Sequence, residues 1–209
     1  MLTMVIFDAD GVLFDSDQSN IAFYNAIFER LGESRLTSEE ERVCVYLSAA
    51  QVFALRADGD PARLGQMKET ARSLDFAPIF RLLRPTVDLR AFLLELKQNY
   101  RLGLATNRST TVPALLEHFR LTDVFDAVAS TLDPVAPKPA PDLLKLCLER
   151  AGVGAREAVY VGDSPVDLEA AQAAGVGFIA VGSKIAHPHR VAALREIKPI
   201  LERLTESRP

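Results

Sequence analysis

The sequence predicts an α/β protein, a doubly wound parallel sheet with an inserted all-helical domain. Two observations lead to this prediction. After Pro85, short apolar runs alternate with helical patterns at the spacing of βαβ units. Residues 15–84, in contrast, show one helical pattern after another and no convincing strand. We therefore expect an α/β core made of residues 1–14 and 85–209 and a helical domain made of residues 15–84.

The core elements follow from the apolar periodicity. TMVIFD at residues 3–8 is short, apolar and partly β-branched, as is typical of a buried strand. The later strands are predicted at 101–106, 127–130, 158–163 and 177–182, and the core helices at 87–98, 111–119, 141–151, 165–174 and 189–204. Strands and helices in this order place helices on both faces of the sheet.

The insertion is predicted to contain several helices. The first carries an apolar face of Ile21, Tyr24, Ile27, Phe28 and Leu31, and Gly32 is suited to end it. Capping-box residues place the start of another helix near residue 38. ADGDP at 57–61 is a break, and shorter helices are expected at 61–74 and 78–83.

Composition and charge exclude several classes of protein. Apolar residues make up 48% of the 209, which suits a folded core, and the net charge of −4 argues against a broad nucleic-acid surface. No apolar run approaches the roughly 18 residues that span a membrane, and the N-terminus lacks a signal-peptide pattern. Cys44 and Cys147 lie in apolar helical patterns, so we expect reduced cysteines and a cytoplasmic protein.

Polar side chains are predicted at the carboxyl end of each of the first four strands. They are Asp8 and Asp10, Thr106 and Asn107, Lys138, and finally Asp163 with Asp167. Each alone has an ordinary structural interpretation: Asp before Gly favours a turn, and Ser164 to Asp167 fits a helix cap. Ligands of open α/β sheets bind at this edge, so the convergence of all of these groups favours a functional site.

The chemistry of this set suits phosphoryl transfer. Carboxylates such as Asp8 and Asp163 are ligands that Mg²⁺ prefers, and the absence of a His or Cys cluster argues against zinc. A carboxylate can attack phosphorus to form an aspartyl-phosphate, and Asp10 is placed to transfer protons to the leaving group and from water. Donors for the phosphoryl oxygens would be Thr106, Asn107 and Lys138.

Four stretches, FDADGVLFDS, ATN, KPAPD and VGDSPVD, resemble in this order the motifs of the haloacid dehalogenase superfamily. Most members of that superfamily are phosphatases, and the resemblance is to the phosphoglycolate phosphatase and β-phosphoglucomutase subgroup. It implies a Rossmann-like core and identifies the insertion as a C1 cap that closes over the site. Asp15 and Ser16 would then form the hinge into the cap, and Asp17 would lie in the first turn of a helix.

The resemblance also implies a role for each matching residue. Asp8 would be the nucleophile and Asp10 the acid and base. Thr106, with Asn107, would bind the phosphoryl group, and Lys138 would neutralise its charge. The ligands of Mg²⁺ would be Asp8, the backbone carbonyl of Asp10 and Asp163. Asp167 would act through a water molecule or by supporting these ligands without touching the ion.

The expected function is therefore that of a Mg²⁺-dependent phosphatase of a small phosphorylated metabolite. A phosphomutase resembling β-phosphoglucomutase uses the same core residues and stays open as an alternative. A dehalogenase would need no metal, and a phosphonatase needs a lysine in the cap, where Lys68 is the only one. A receiver-like signalling module is disfavoured because its accepting Asp follows a later strand and it lacks a cap. A binding protein on the same fold that had lost its activity would be expected to lack some of the catalytic residues, and none is missing here.

The sequence leaves the substrate open. The cap has nine Lys or Arg and eleven Asp or Glu residues, which gives no clear preference for a polyanion. No specificity role is assigned to Arg42, Arg56, Arg63 or Arg108. A monomer is expected, since the cap must open and close, and neither a nucleic acid nor a membrane is expected as a partner.

Overall fold

The computed structural model describes residues 1–45 and 47–206 of the chain. Its centre is a six-stranded parallel sheet in the order β5-β4-β1-β6-β7-β8, and a second sheet pairs β2 with β3. The strands are β1 Met4–Phe7, β2 Phe14–Asp15, β3 Arg84–Pro85, β4 Arg101–Thr106, β5 Ala127–Ser130, β6 Ala158–Gly162, β7 Gly177–Val181 and β8 Arg190–Val191.

Helices occupy most of the remaining described chain. The first five are α1 Asp17–Arg30, α2 Ser38–Cys44, α3 Ala49–Ala57, α4 Pro61–Arg72 and α5 Ala77–Phe80. The core helices are α6 Leu89–Leu96, α7 Val112–His118, α8 Asp142–Ala151, α9 Pro165–Ala174 and α10 Lys198–Glu206. This architecture confirms the predicted fold class.

Strand β1 lies in the middle of the sheet, and its side chains alternate between two apolar layers. Val5 and Phe7 pack in the layer that includes residues of α6, α7 and α10, and Met4 and Ile6 pack in the layer that includes α8 and α9. All four side chains are fully buried. A strand covered on both faces must be apolar throughout, which explains why TMVIF shows no polar alternation.

The helices between β2 and β3 have an apolar cluster of their own, which contains Tyr24, Phe28, Phe53 and Met67. Beside this cluster lies the half-buried guanidinium of Arg56. It is paired with Glu33 at 3.1 Å and Glu40 at 2.7 Å, and its central carbon lies 4.6 Å from the centroid of the Phe28 ring. Arg63 also pairs with Glu33, at 2.8 Å, while Arg42 pairs with Glu39. These three arginines serve the internal structure and surface of the cap.

Three predictions of secondary structure were wrong in detail. The helix predicted to start near residue 38 begins there as α2, but a further helix start was not predicted: Ser48 and Gln51 form a second capping box that starts α3. The expectation of helices without strands from residue 15 misses the short ladder in which Phe14 pairs with Pro85 and Asp15 with Arg84.

The third difference concerns the predicted helix at 189–204. Its first part forms the edge strand β8, because the amide groups of Ala180 and Gly182 donate to the carbonyls of His189 and Val191 at 2.9 Å. A short 3-10 turn, Leu194–Ile197, follows before α10 begins. The predicted core boundary at residue 209 lies outside the described residues.

Candidate active site

Three buried carboxylates meet where β1 and β6 end. Asp8, Asp163 and Asp167 each offer an oxygen within 4.8 Å of the others. They meet because β1 and β6 are neighbours, so that the Asp8 amide donates to the Val161 carbonyl at 2.9 Å. Gly11 allows the close approach: its φ is +74°, and a Cβ there would lie 2.2 Å from the Asp163 Oδ2 atom.

The Lys138 ammonium contacts two of these three carboxylates, and the residue is almost fully buried. Its Nζ atom is 2.8 Å from Asp8 Oδ1 and 2.7 Å from Asp167 Oδ1. Burial alone would lower the pKa of Lys138, but Asp167 and Asp8 outweigh it and raise that pKa. Lys138 therefore provides a fixed positive charge beside Asp8.

Tyr160 completes the contacts of this lysine and was missed by sequence reasoning. Its hydroxyl accepts a hydrogen bond from Lys138 Nζ at 2.7 Å and lies 3.0 Å from Asp167 Oδ1 and 3.1 Å from the Ala105 carbonyl. No local pattern identifies Tyr160, because it lies in the middle of an apolar strand and resembles any other core residue. Burial raises the pKa of Tyr160 well above its usual value, so the hydroxyl stays neutral.

Asp167 combines the predicted helix cap with a place in the site. Its Oδ2 accepts from the amides of Asp163 and Ser164, at 3.2 and 3.1 Å, and from Ser164 Oγ at 2.6 Å. Both oxygens are thus engaged by protein donors. Burial opposes the ionisation of Asp167, but Lys138 outweighs it and lowers the pKa of that carboxyl.

Asp8 and Asp163 are less well neutralised. Burial raises the pKa of Asp8, an effect that Lys138 only partly offsets. Burial also raises the pKa of Asp163, against the effect of the Lys184 ammonium 2.7 Å from its Oδ2 atom. Lys184 follows β7 and was not identified from the sequence, where it resembles a solvated loop lysine.

The donor set fits a hard divalent cation. Three carboxylates face two ammonium groups, and among the described residues no donor other than the Lys138 ammonium contacts the buried Asp8 Oδ1 atom. A buried carboxylate oxygen with so few partners is costly unless a cation or another donor satisfies it. Oxygen ligands of this kind suit Mg²⁺.

Thr106 is the last residue of β4, on the other side of β1 from β6, and Asn107 follows it. Thr106 is fully buried, and its Oγ1 accepts from the Arg108 amide at 3.2 Å. The Asn107 side chain bonds the backbone of Lys138 twice, donating to its carbonyl at 3.1 Å and accepting from its amide at 2.9 Å. Asn107 thus holds the loop that carries Lys138, and its predicted contact with a phosphoryl group stays a prediction.

Asp10 is held by Arg108. The guanidinium donates from Nε to Asp10 Oδ2 at 2.8 Å and from Nη2 to Asp10 Oδ1 at 2.6 Å, and Nη2 also lies 3.3 Å from Asn20 Oδ1 on α1. Burial would raise the pKa of Asp10, but Arg108 outweighs burial and lowers it. Arg108 directly follows the ATN motif, and that position is the one sequence signal that could have identified it.

A cavity of about 110 Å³ lies between this edge of the sheet and the helical insertion. Its floor includes Asp8, Asp10, Thr106, Lys138 and Asp163. Among the described residues, the insertion contributes one charged side chain to the lining, Asp17, and otherwise neutral ones, among them Phe23, Leu47, Ala49 and Ile79. The predicted site residues are therefore brought together around one small chamber.

The described part of the chain has no helix with the length and apolar character needed to cross a bilayer.

Comparison with known proteins places the chain in a family. Residues 5–181 match the haloacid dehalogenase-like hydrolases. The chain is 30% identical over 184 residues to a phosphoglycolate phosphatase from Aliivibrio fischeri, an alignment that covers 83% of this chain and 81% of the relative.

Solved structures agree with this assignment. A haloacid dehalogenase superfamily hydrolase of subfamily IA from Geobacter sulfurreducens is 35% identical, with a TM-score of 0.75 and 96% of each chain covered. A β-phosphoglucomutase from Clostridium difficile, at 16% identity and a TM-score of 0.75 over 99% of this chain and 98% of that one, shares the fold. The predicted family and enzyme class, a phosphoric monoester hydrolase, are confirmed: the chain belongs to the haloacid dehalogenase-like hydrolases.

Proposed function

We propose that this hydrolase is a Mg²⁺-dependent phosphatase of small phosphomonoesters, with Asp8 as its nucleophile. The observation that carries the proposal is the position of Asp8, whose carboxylate lies 2.8 Å from the buried Lys138 ammonium and within 4.8 Å of oxygens of Asp163 and Asp167. The Aliivibrio fischeri relative is a phosphoglycolate phosphatase, which makes 2-phosphoglycolate the first substrate to test.

In the first half of the reaction the Asp8 carboxylate attacks phosphorus, and the bond to the ester oxygen breaks. Asp10 in its protonated form, which requires that it leave the Arg108 guanidinium, gives the departing alkoxide a proton and is left as the carboxylate. The Lys138 ammonium and the Thr106 hydroxyl stabilise the charge on the phosphoryl oxygens. In the second half, water loses a proton to Asp10 and attacks the phosphorus, which releases phosphate and restores Asp8.

Asp8, Asp163 and the backbone carbonyl of Asp10 would hold Mg²⁺. When bound, the cation offsets the negative charge shared by the phosphoryl group and the carboxylates. Asp167, whose oxygens already accept protein hydrogen bonds, would position Lys138 and the loop of Asp163. The helices of residues 15–84 would act as the cap that excludes water from the cavity.

We further propose that the enzyme acts as a cytoplasmic monomer. Both cysteines are free and buried, which fits a reducing compartment. Sedimentation of the purified chain would test the monomer, and a second species at micromolar concentration would contradict it.

The test of the function is phosphate release from a panel of phosphomonoesters that includes 2-phosphoglycolate and β-glucose 1-phosphate. We expect turnover with Mg²⁺ and none with a chelator, and turnover that persists in chelator would refute the metal dependence. Asp8→Asn should remove turnover while thermal unfolding still shows a folded protein. Near-normal activity in that variant would exclude Asp8 as the nucleophile.

A further inference from the structure

The guanidinium of Arg108 is buried at the boundary between the core and the helical insertion. Its side chain is 10% exposed, and its two donors on Asp10 form the parallel fork typical of an arginine bound to a carboxylate. Asp10 thus has both oxygens engaged. Asp10, the acid and base of the proposed reaction, is therefore bound to Arg108 in this structure. During turnover it must instead face the ester oxygen of the substrate.

The other cations of the cavity already have partners at the phosphoryl end. Lys138 contacts Asp8 and Asp167, and Lys184 contacts Asp163. Among the described residues that line the cavity, Arg108 is the remaining Lys or Arg, and the insertion contributes none. An anionic group on the leaving group of a substrate would therefore contact Arg108. Within the described part of the insertion, no Lys or Arg lines the cavity to bind it instead.

We propose that Arg108 is a specificity residue that binds a carboxylate on the leaving group of the substrate, in place of the Asp10 carboxylate. This inference rests on the proposed phosphatase function and names its substrate class: a short phosphomonoester that carries a carboxylate close to the ester bond. The incoming carboxylate takes over the guanidinium fork and releases Asp10 to face the ester oxygen. The exchange replaces one carboxylate by another, so the buried guanidinium stays paired.

The backbone supports a short substrate. Arg108 is two residues from Thr106, and its amide donates to the Thr106 hydroxyl at 3.2 Å. Two residues span at most about 7 Å, so the predicted phosphoryl-binding hydroxyl and the base of the Arg108 side chain lie close together. A cavity of about 110 Å³, lined on the side of the insertion by Asp17 and by apolar side chains such as Phe23 and Ile79, has room for few substrate atoms beyond a phosphoryl group and one carboxylate.

The experiment compares two esters that differ in charge at one position, 2-phosphoglycolate and the phosphate ester of glycolamide. For the wild-type enzyme with Mg²⁺ we expect kcat/KM to be about a hundredfold or more higher for the carboxylate, because the amide leaves the guanidinium without an anionic partner. When both esters are lengthened by two methylene groups, most of the preference for the carboxylate over the amide should disappear.

The variant Arg108→Met should bring the ratio of the two kcat/KM values to within about threefold of unity, and Arg108→Lys should restore part of the preference. A matched control is Arg101→Met at the opposite end of β4, where the guanidinium bonds the Ala151 carbonyl. The control should keep the wild-type ratio. Thermal unfolding of each variant identifies any loss of fold.

Several results would overturn the inference. Equal turnover of both esters by the wild type would do so, whatever the behaviour of the variants, while leaving the phosphatase function intact. An equal loss on both esters in Arg108→Met would show that Arg108 only positions Asp10. Release of phosphate from none of the esters tested would instead refute the proposed function.

Discussion

Replacing Tyr160 with phenylalanine tests how Lys138 is held. The change keeps the ring in the core and removes the hydroxyl, which accepts from Lys138 Nζ at 2.7 Å and lies 3.0 Å from Asp167 Oδ1. One N–H of a buried ammonium then loses its acceptor. Leaving such a group unsatisfied costs about 1–3 kcal/mol.

The expected loss can be followed as a change in melting temperature. For a chain of this size, 1 kcal/mol corresponds to about 2–4 °C, so a loss of about 2 kcal/mol lowers Tm by about 4–8 °C. Because the ammonium can then move away from Asp8, we also expect kcat to fall by about ten- to a hundredfold, with a smaller change in KM. Calorimetry and steady-state phosphate release measure the two effects.

Tyr100→Phe is the matched control. The half-buried Tyr100 hydroxyl lies 3.0 Å from Thr205 Oγ1, and Tyr100 directly precedes β4, whose opposite end carries the site residue Thr106. This variant should lose at most about 1 kcal/mol and keep its kcat. If Tyr160→Phe loses stability but keeps full kcat, the two carboxylates alone position Lys138 and the reasoning is wrong.

The remaining predictions concern packing and charge away from the reacting groups. Gly103→Ala should lower the free energy of unfolding by about 1–3 kcal/mol, since a Cβ there would lie 2.6 Å from the Cys147 Sγ atom; Gly65→Ala, in the open interior of α4, should instead raise it by about 0.5–1 kcal/mol. Equal effects in denaturant unfolding would contradict this contrast. Burial opposes ionisation of Glu33, but its two arginine partners outweigh burial and lower its pKa. The stability that Glu33 contributes is therefore present above its ordinary pKa of 4.5 and is lost as the pH falls through the lowered value. Glu33→Gln should cost about 0.5–1 kcal/mol at pH 7 and progressively less below pH 4.5, and a gap that persists in acid would refute the ion pairs as its source.

The sequence was sufficient to predict the sheet and the groups at its edge. Apolar runs that alternate with helical patterns indicate parallel strands. The carboxyl ends of parallel strands lie at the same edge of the sheet, whatever the conformation of the loops. For that reason Asp8, Asp163 and Lys138 could be expected near one another before any distance was known. The capping pattern around Ser164 likewise predicted the start of α9, which begins at the next residue.

Other contacts depend on geometry that no local pattern encodes. Tyr160 lies in a buried strand, and the position of its hydroxyl beside Lys138 depends on how far the loop of that lysine folds back. Arg108 has the sequence context of a solvated arginine, and its fork on Asp10 exists because two neighbouring loops point to the same space. Residues 189–204 have helical apolar spacing, yet hydrogen bonds to β7 overrode that local preference at Val191.

The ladder between β2 and β3 has a consequence for how this enzyme can change. Phe14 faces Pro85, and Thr86 bonds the carbonyls of Val12 and Leu13, so the chain leaves the sheet and returns to it at adjacent points. Neighbouring points on an antiparallel ladder can be joined by a turn of a few residues. The length of the insertion can therefore vary without a change in the register of the central sheet, provided that residues such as Phe80 and Leu83, which pack in the apolar cluster of the core, are kept.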